Sequence, residues 1–496
     1  MARPGRDARE VARRVVRRVA ADDAFASLTL AAELDAAGLD PRDRRLATEL
    51  VYGVLRHLTR LDRALHAMTE RGLAKVNRKV LAILRVAAYQ ILFLDRVPDH
   101  AAVDDAVRAA RKLGGGRLAG FANGVLRRLT RDGEPPLPGR AYVASGASAD
   151  AAARDADADA GADSDAALSD ARAYIEVAHS LPPWLADRLR ARLGEPAELL
   201  AAAEGLSQPA GLTIRVNTAR TTVDALSERL RADHDTIEII RPDLGRAALL
   251  LYGLGDPERS PSFRAGLWTV QDLGAQLVSH FIDYLGDRPA ATGSSDGAAG
   301  LRILDACAGV GGKASHLAEL YSGAHIDAVD ISERKLRRLR DTADRLGATG
   351  IHCHTVDLTD RAAGDGILAA TYDAVLVDAP CSGLGVLRRH PETKWRVSES
   401  DIARMAELQR QLLDALCQRV APGGILIYSV CTFTAEEGAR QLAAFLDRHS
   451  DFALSAPQDE SFTDRQLCPE PGVLTTWPHR HQADAFFAAR LVRRTG

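Results

Sequence analysis

Two cysteines stand directly after predicted strands, each within a short polar motif. Cys381 lies in DAPCSG after the apolar run 372–378, and Cys431 follows GILIYSV at 424–430. Because ligands of an open α/β sheet bind beyond the carboxyl ends of its strands, we expect both cysteines to share one cleft with Asp305 and Asp378. A single free cysteine is most often a small buried apolar residue, whereas two at such positions indicate nucleophilic chemistry.

A glycine-rich turn joins a predicted strand to a predicted helix. Residues 301–313 read LRILDACAGVGGK, where the glycines allow positive φ and the following helix offers unpaired N–H groups. By itself such a turn serves nucleotides, phosphates or no ligand. Asp330 ends the next predicted strand, and Asp357 ends the third. The first acid is placed to accept hydrogen bonds from ribose hydroxyls, and the second suits an adenine amino group.

The chemistry separates the two cofactors that this pattern allows, NAD and S-adenosylmethionine. The loop lacks the last glycine of G-x-G-x-x-G, and hydride transfer has no use for a pair of cysteines. Methylation of cytosine C5 does need a thiolate, because addition of sulfur at C6 makes C5 an enamine carbon that accepts a methyl group. The C5 proton must then leave and the thiol be expelled, while a carboxyl group near N3 holds developing charge. These residues predict methylation of a pyrimidine carbon.

Composition limits the compartment and the partners. The chain has 496 residues, enough for several domains, and its six cysteines form no C-x-x-C pair or metal-spaced cluster. We therefore expect reduced thiols, no metal and a cytoplasmic location. No apolar run is long enough to span a bilayer, so we expect no membrane partner, and we expect a monomer. Residues 1–135 carry 26 Lys or Arg against 17 Asp or Glu, an excess that suits RNA, although a solvated helical face gives the same signal.

The order of patterns along the chain predicts a multidomain protein. Residues 1–134 have apolar residues at helical spacing, which indicates an all-α domain, and residues 135–171 have the composition of a disordered acidic linker. Residues 172–257 indicate a small α+β module. Arg215 and Asn217 in this module could either form part of a platform that contacts RNA or have a structural role. Residues 258–496 alternate strands with helices, which predicts a doubly wound α/β domain closed by the late strand FFAARLV.

Two groups of motifs resemble known families. The segments DRRLATELVYGVLR, RVPDHAAVDDAVRAARK and FANGVLRRL resemble the NusB-like RNA-binding domain. The segments DACAGVGGK, DAPCSGLGVLRRHPETKW, YSVCT and ADAFFAARL resemble the RsmB/Sun family of ribosomal RNA cytosine-C5 methyltransferases. The resemblance implies a C-terminal Rossmann-like methyltransferase domain that uses S-adenosyl-L-methionine. It also implies small-subunit ribosomal RNA as the partner, with one specific cytosine methylated through a covalent Cys–C6 adduct.

The resemblance also implies residue roles. Cys431 matches the family's nucleophile, Cys381 matches the residue that assists product release, and Asp378 faces the target base. The matching cofactor-binding positions are Cys307, Ala308, Gly309, Val310, Gly311, Gly312, Lys313, Asp330, Asp357 and Asp378. The family's C-A-A-P-G-G-K reads C-A-G-V-G-G-K here, and its D-G-F-F reads D-A-F-F at 484–487. Replacing the rigid proline by Val310 should loosen the cofactor loop.

Two other functions remain compatible with parts of the sequence. The basic all-α domain would suit an RNA-binding assembly or antitermination factor whose methyltransferase fold is inert, but the intact cysteines argue against this. An amino-methyltransferase would need an N/D-P-P-Y motif where this chain has DAPC at 378–381.

Overall fold

The computed structural model describes residues 7–22, 24–139, 160–234, 236–283, 300–360 and 362–495. The chain divides into two compact units. The helical unit holds residues 1–208 together with the segment Leu387–Arg396, and the sheet unit holds residues 209–386 and 397–496. Within the described residues, no helix is both long and apolar enough to cross a membrane.

The helical unit confirms the predicted all-α architecture of the N-terminal region. Its helices are α1 (Ala8–Asp22), α2 (Ala26–Ala37), α3 (Pro41–Arg56), α4 (Leu58–Ala67), α5 (Arg78–Phe93), α6 (Asp99–Asp132), α7 (Ala160–Ala178), α8 (Pro183–Leu193) and α9 (Pro196–Ser207). Helix α6 is kinked at Gly114 and Gly115, whose backbone angles are not helical.

Helical spacing of apolar residues builds the core of this unit. Val11, Val15 and Val19 recur every four residues on α1, so they lie on one face, and all three are buried. Helix α3 begins where Asp40 accepts hydrogen bonds from the N–H groups of Arg42 and Asp43, with proline in the first turn. This start signal and the apolar stripes could be read directly from the sequence.

The predicted linker is shorter than expected at its C-terminal end. Residues 160–171, assigned to the linker, belong to helix α7, while residues 140–159 lie outside the described residues. Leu168, Ala171, Ile175 and Ala178 are buried along one stripe of α7. Alanine favours the helix strongly, and these few apolar side chains anchor it, so a composition poor in large residues did not prevent folding.

Two further segments pack with other elements than their predicted domains. Residues 172–208, expected in the α+β module, hold the end of α7 with α8 and α9, which cluster with the helical unit because their apolar faces pack with other helices. The short helix α15 (Thr393–Arg396), expected in the α/β domain, also lies in the helical unit. Leu387–Arg396 is therefore a strap, a segment that is far along the chain but packs with the N-terminal helices.

The first sheet of the sheet unit is small and antiparallel. Its strands are β1 (Leu212–Val216), β2 (Glu238–Ile240), β3 (Ala248–Tyr252) and β4 (Trp268–Val270), in the order β2-β3-β1-β4. Nearby lie helices α10 (Val223–Asp233), α11 (Pro261–Arg264) and α12 (Leu273–His280). Because β4 pairs with β1, this module extends beyond the predicted end at residue 257.

Arg215 and Asn217 have structural roles in this module. Arg215 is buried, and it donates to Gln271 Oε1 and to Gly312 O at 3.0 Å. Asn217 is also buried and donates to the backbone carbonyls of Gly266 and Leu346, at 2.9 Å each. Neither side chain is placed to contact RNA, so the structural alternative is the correct one.

The second sheet confirms the α/β fold class. Its strands are β5 (Arg302–Asp305), β6 (His325–Asp330), β7 (Ile351–Thr355), β8 (Tyr372–Asp378), β9 (Val420–Val430), β10 (Phe452–Leu454), β11 (Val473–Thr476) and β12 (Phe486–Arg493). They lie in the order β10-β12-β9-β8-β5-β6-β7, and β11 pairs with β12. The associated helices are α13 (Gly312–Leu320), α14 (Glu333–Leu346), α16 (Glu399–Leu416), α17 (Ala439–Arg448) and α18 (Pro478–His481).

The sheet's topology places the site. Strands β9, β8, β5, β6 and β7 run parallel, so their carboxyl ends lie at one edge. The chain proceeds from β5 toward β7 and later crosses back to β8 and β9, which makes the space beyond β5 and β8 a topological switch point. The register sets Asp378 beside Ser429, two residues before Cys431.

Candidate active site

The cofactor loop leaves β5 and enters α13 through two left-handed glycines. Gly309 has φ of 59° and Gly311 has φ of 88°. A Cβ on Gly311 would lie 2.4 Å from Leu339 Cγ, so no larger residue fits without displacing α14. The loop is also tied to its neighbours, since Ala308 N donates to Val329 O at 2.8 Å and Gly312 O accepts from Arg215. Val310, where the family has proline, exposes about half of its surface.

A cavity of about 340 Å³ opens beyond β5, β6 and β8. Of the predicted cofactor residues, Cys307, Asp330, Asp357 and Asp378 line it, whereas the side chains from Ala308 to Lys313 are not part of its lining. Sequence reasoning missed several residues that line the same space, namely Ile331, Lys335, Pro380, Leu408, Gln411 and Leu412. The exposed Ile331 was the detectable one, because an apolar residue directly after the strand-ending Asp330 has no core to join.

Local hydrogen bonds fix the two acids at the far side of this cavity. Asp330 accepts from Gly309 N at 3.1 Å and from Lys335 Nζ at 3.2 Å, which joins the end of β6 to the glycine loop. Asp357 accepts from the N–H and the hydroxyl of Thr359, at 3.0 and 2.6 Å. Both carboxylates are thus preorganised acceptors at the ends of neighbouring strands.

Lys313 and Asp378 form an ion pair near the carboxyl end of β8. Lys313 Nζ lies 2.5 Å from Asp378 Oδ2, and Ser429 Oγ donates to Asp378 Oδ1 at 2.7 Å. Burial lowers the pKa of the Lys313 ammonium, but the attraction of Asp378 outweighs it and raises that pKa above its ordinary value. The pair places a fixed cation and a fixed carboxylate side by side.

Asp305 lies behind this pair and does not line the cavity. It is buried, and neither carboxylate oxygen has a well-formed hydrogen bond among the described residues. Burial and the neighbouring charge of Asp378 raise the pKa of Asp305 to about 7. The sequence placed Asp305 in the cleft, whereas the structure places it in the wall beneath.

The structure brings the two predicted cysteines together. Cys381 Sγ and Cys431 Sγ are 3.3 Å apart. The hydrogen bond with Cys431 and burial raise the pKa of the Cys381 thiol, so the proton stays on Cys381. Burial likewise raises the pKa of Cys307, which keeps that third cysteine a thiol.

A close backbone contact holds the cysteine loops in place. Gly385 N donates to Cys431 O at 3.0 Å, and Ala485 N donates to Gly385 O at 3.0 Å. A Cβ on Gly385 would lie 1.9 Å from Ala485 O, so this position needs glycine. The variant DAFF motif therefore keeps its backbone role, because Ala485 contributes its peptide group.

Three separate parts of the chain match known families. Residues 296–492 match the model described as 16S rRNA methyltransferase RsmB/F, residues 6–131 match the NusB family, and residues 181–253 match the RsmF/B-like ferredoxin-like domain. The probable ribosomal RNA small subunit methyltransferase B of Bacillus subtilis (strain 168) is 30% identical over 489 residues, covering 98% of each chain. This chain belongs to the RsmB/F family of ribosomal RNA methyltransferases.

Other members and a solved structure extend the likeness. The putative methyltransferase Rv1407 of Mycobacterium tuberculosis (strain ATCC 25618 / H37Rv) is 35% identical over 506 residues, covering 99% of this chain and 98% of its own. The crystal structure of PH0851 shares the fold, with a TM-score of 0.72, 23% identity and 99% of each chain covered. The predicted RsmB/Sun family resemblance, NusB-like domain and methyltransferase fold are confirmed.

Proposed function

We propose that this protein transfers a methyl group from S-adenosylmethionine to C5 of a specific cytosine in small-subunit ribosomal RNA, through a covalent bond between Cys431 and C6. Membership of the RsmB/F family supports ribosomal RNA as the substrate class. The observation that carries the C5 assignment is the thiol pair, with sulfur atoms 3.3 Å apart beside the Lys313–Asp378 ion pair. Transfer to an amino group would not need a nucleophilic thiol.

The residues around the cavity fit S-adenosylmethionine. Its donor set suits an adenosine, since Asp330 would accept from the ribose hydroxyls and Asp357 from the adenine amino group, beside the apolar surface of Ile331. The backbone from Cys307 to Lys313 would hold the methionine end, where the space beside Gly309 and Gly312 is open to a ligand. The cofactor, when bound, supplies the methyl group.

The thiols divide the work of addition and release. Cys431 Sγ would add to C6 of the cytosine, and the electrons of the C5–C6 double bond become available at C5. The hydrogen bond with Cys431 and burial raise the pKa of the Cys381 thiol, which suits Cys381 to the release role that the family resemblance implies. After methylation a base takes the C5 proton, its electron pair reforms the C5–C6 double bond, and the C6–sulfur bond breaks to release Cys431 as a thiolate. Cys381, in contact with that sulfur, is placed to assist this release.

Asp378 and Lys313 would stabilise the base while C5 and C6 change. Ser429 and Lys313 each hold one oxygen of the Asp378 carboxylate. A carboxylate fixed this way can face N3 and the exocyclic amine, where charge develops as sulfur adds. Preorganised groups act without rearranging during the reaction, which is why the ion pair suits the transition state.

The domain order supports a division between RNA capture and chemistry. We infer that the NusB-like helices bind RNA. A buried position in a folded RNA is inaccessible, so the cytosine must be unstacked and turned into the site. Contact area beyond the base pocket then selects one cytosine among many.

Substitution of each cysteine tests this proposal. Cys431→Ala should abolish methylation and every covalent protein–RNA complex, whereas Cys381→Ala should accumulate a covalent complex, because attack precedes release. Methylation is measured by mass spectrometry of nucleosides and the complex by denaturing electrophoresis. Cys353→Ala, on β7, is the matched control and should behave like the wild type.

Two outcomes would contradict the assignment. A covalent complex of Cys431→Ala with RNA containing 5-fluorocytosine would remove Cys431 as nucleophile. A methylated base other than 5-methylcytosine would reject C5 as the acceptor. An unchanged RNA spectrum in cells lacking the protein would instead favour the assembly or antitermination factor with an inert methyltransferase fold.

A further inference from the structure

A buried carboxylate lies behind the two cysteines. Glu437 follows β9, is fully shielded from solvent, and accepts four hydrogen bonds. Its Oε1 accepts from Ser382 N at 2.7 Å and from Gln409 Nε2 at 3.2 Å. Its Oε2 accepts from Ser382 Oγ at 2.6 Å and from Thr434 Oγ1 at 2.7 Å. These donors occupy the acceptor sites that a carboxylate offers on its two oxygens.

Three of the four hydrogen bonds come from the loops that carry the thiols, and the fourth comes from Gln409. Ser382 directly follows Cys381, and Ser382 Oγ lies 3.0 Å from the hydroxyl of Thr432, which directly follows Cys431. Gln409, on α16, also donates to Pro380 O at 2.8 Å, so the chain is held on both sides of Cys381. The Glu437 carboxylate therefore connects the loop after β8, which carries Cys381, with the loop after β9, which carries Cys431.

We propose that Glu437 is a positioning residue for the thiol pair, fixing the Cys381 loop against the Cys431 loop so that the two sulfur atoms stay in contact. No lysine or arginine of the described residues forms an ion pair with Glu437, so the loop donors take the place of water around it. Removing the carboxylate leaves the buried Ser382 N–H without its acceptor and frees the loop. This role rests on the proposed function, in which Cys431 attacks and Cys381 assists release.

The consequence for the reaction falls on release. Once Cys431 is bonded to C6, its sulfur is held by the RNA base, whereas Cys381 depends on the loop contacts to remain alongside. Loosening the contacts of Glu437 with the two loops, here called the Glu437 clamp, should therefore slow release of the methylated base more than attack by Cys431. The carboxylate lies outside the cofactor cavity, so cofactor affinity should stay within about twofold of the wild type, a change of less than 0.5 kcal/mol at about 1.4 kcal/mol per tenfold.

Disulfide formation measures the thiol contact without RNA. In the full-length protein, diamide oxidises two thiols to one disulfide, and both thiol protons pass to the reagent as it becomes a hydrazine. The rate of the Cys381–Cys431 cross-link is followed by peptide mass spectrometry. Glu437→Ala should slow it by roughly tenfold or more, the ratio expected when a charged hydrogen-bond acceptor is lost. Glu436→Gln, the matched neighbour, should cross-link at the wild-type rate.

Methylation assays supply the second readout. With unmodified RNA, Glu437→Ala should accumulate covalent complex as Cys381→Ala does, with a turnover rate reduced by roughly ten- to a hundredfold. Glu437→Gln keeps the size and one acceptor oxygen, and the serine and threonine hydroxyls can rotate to accept from its amide, so it should restore much of both rates. If Glu437→Ala fails to fold, the cross-linking rate and the amount of covalent complex are compared between Glu437→Gln and the wild type.

The outcomes distinguish failure of the positioning role of Glu437 from failure of the proposed function. Unchanged cross-linking in Glu437→Ala would reject the positioning role, as would equal loss of attack, release and cofactor binding, which signals general unfolding. If the wild-type protein forms no 5-methylcytosine and no covalent complex, the proposed function fails. The cross-linking rates would still report on the clamp in that case.

Discussion

At the residue scale, Asp305 shows how the sheet edge controls ionisation. The carboxyl group is buried at the end of β5, close to Asp378, and its pKa is raised to about 7. Lys313 is drawn to Asp378, with which it forms the short ion pair. Keeping Asp305 protonated avoids a second buried negative charge next to the Asp378 carboxylate.

This raised pKa predicts a pH-dependent stability. Between about pH 4 and pH 7 the unfolded chain releases the Asp305 proton while the folded protein keeps it, so the free energy of unfolding falls as pH rises. Asp305→Asn cannot titrate, and its stability relative to the wild type should increase across this window by up to about 4 kcal/mol. Urea unfolding at several pH values measures the difference.

Asp327 serves as the control, because its pKa is shifted in the opposite direction and its effect on stability should change with pH in the opposite sense. Burial raises its pKa, but hydrogen bonds from Tyr372 and His354 outweigh this and lower it below the ordinary value. Asp327→Asn should therefore lose stability relative to the wild type as pH rises through the acid range. A flat difference for Asp305→Asn between pH 4 and pH 7 would show that Asp305 is ionised in the folded protein.

The positions of the proposed catalytic residues were predictable from the sequence because each lies at or just after the end of β8 or β9. Cys381, Cys431 and Asp378 could be placed at one sheet edge from local apolar runs alone. Glu437 could not, because its importance depends on Ser382, 55 residues away in the chain. The roles of Gln409 and Lys335 likewise depend on side-chain contacts that periodicity does not encode.

At the element scale, the strap is a segment whose place could not be read from its sequence. Its motif RRHPETKW marked the family, yet its contacts lie in the N-terminal helices, more than 200 residues earlier in the chain. Lys394 Nζ donates to Arg56 O at 2.7 Å and to His179 O at 3.0 Å, and Trp395 Nε1 donates to Leu55 O at 3.2 Å. The buried ammonium thus closes the carboxyl end of α3, where carbonyl groups lack helical partners.

The strap also caps helix α2. Glu392 is buried and accepts from Ala26 N at 3.1 Å, at a helix start where Phe25 offers no side-chain cap. Glu392→Ala should destabilise the helical unit by about 1 to 2 kcal/mol and speed amide exchange in the first turn of α2. Glu392→Gln keeps an acceptor and should retain most of the protection. Unchanged exchange in Glu392→Ala, followed by mass spectrometry, would contradict the cap.

Element types were predicted better than element boundaries. The parallel strands β5 to β9 and the closing strand β12 follow from apolar runs, whereas β10 and β11 have only three and four residues. Such short antiparallel strands carry little local signal and are fixed by pairing with β12. The assignment of α7 to α9 to the helical unit depends on packing between helices, which sequence composition leaves open.

At the scale of the whole molecule, cations without ion pairs collect in one cleft of the helical unit. Arg71, Lys75 and Arg117 line this cleft of about 660 Å³, beside the partly exposed ring of Phe121. None of the three forms an ion pair with any residue that the structure describes, although Glu70 also lines the cleft. Arg128 lines it as well but pairs with Asp132, as Arg131 does at the basic end of α6.

These unpaired cations predict where RNA affinity resides. Replacing Arg71, Lys75 and Arg117 together by alanine should weaken RNA binding and reduce the slope of log affinity against log salt by about 2, since each lost phosphate contact contributes about 0.7 for single strands. Filter binding at several salt concentrations measures both quantities. Cofactor affinity should not change, because the cavity for it lies in the sheet unit.

A charge-matched triple variant is the control for this experiment. Arg229, Arg259 and Arg404 are exposed arginines of the sheet unit that already pair with Asp233, Asp256 and Asp401. Their replacement by alanine changes the net charge equally but should alter the salt slope less. Equal effects of the two triple variants would show that overall charge, and not the cleft, sets RNA affinity.

The strap also sets the order in which the molecule can be completed during synthesis. The helices up to Ser207 leave the ribosome first, but Glu392, Lys394 and Trp395 follow nearly 190 residues later. At about 5 to 20 residues per second, the nascent helical unit waits roughly 10 to 40 s with the ends of α2 and α3 uncapped. The domain that is made first is thus finished only after strands β5 to β8 have been translated, and a nascent chain halted before residue 387 carries an incomplete N-terminal fold.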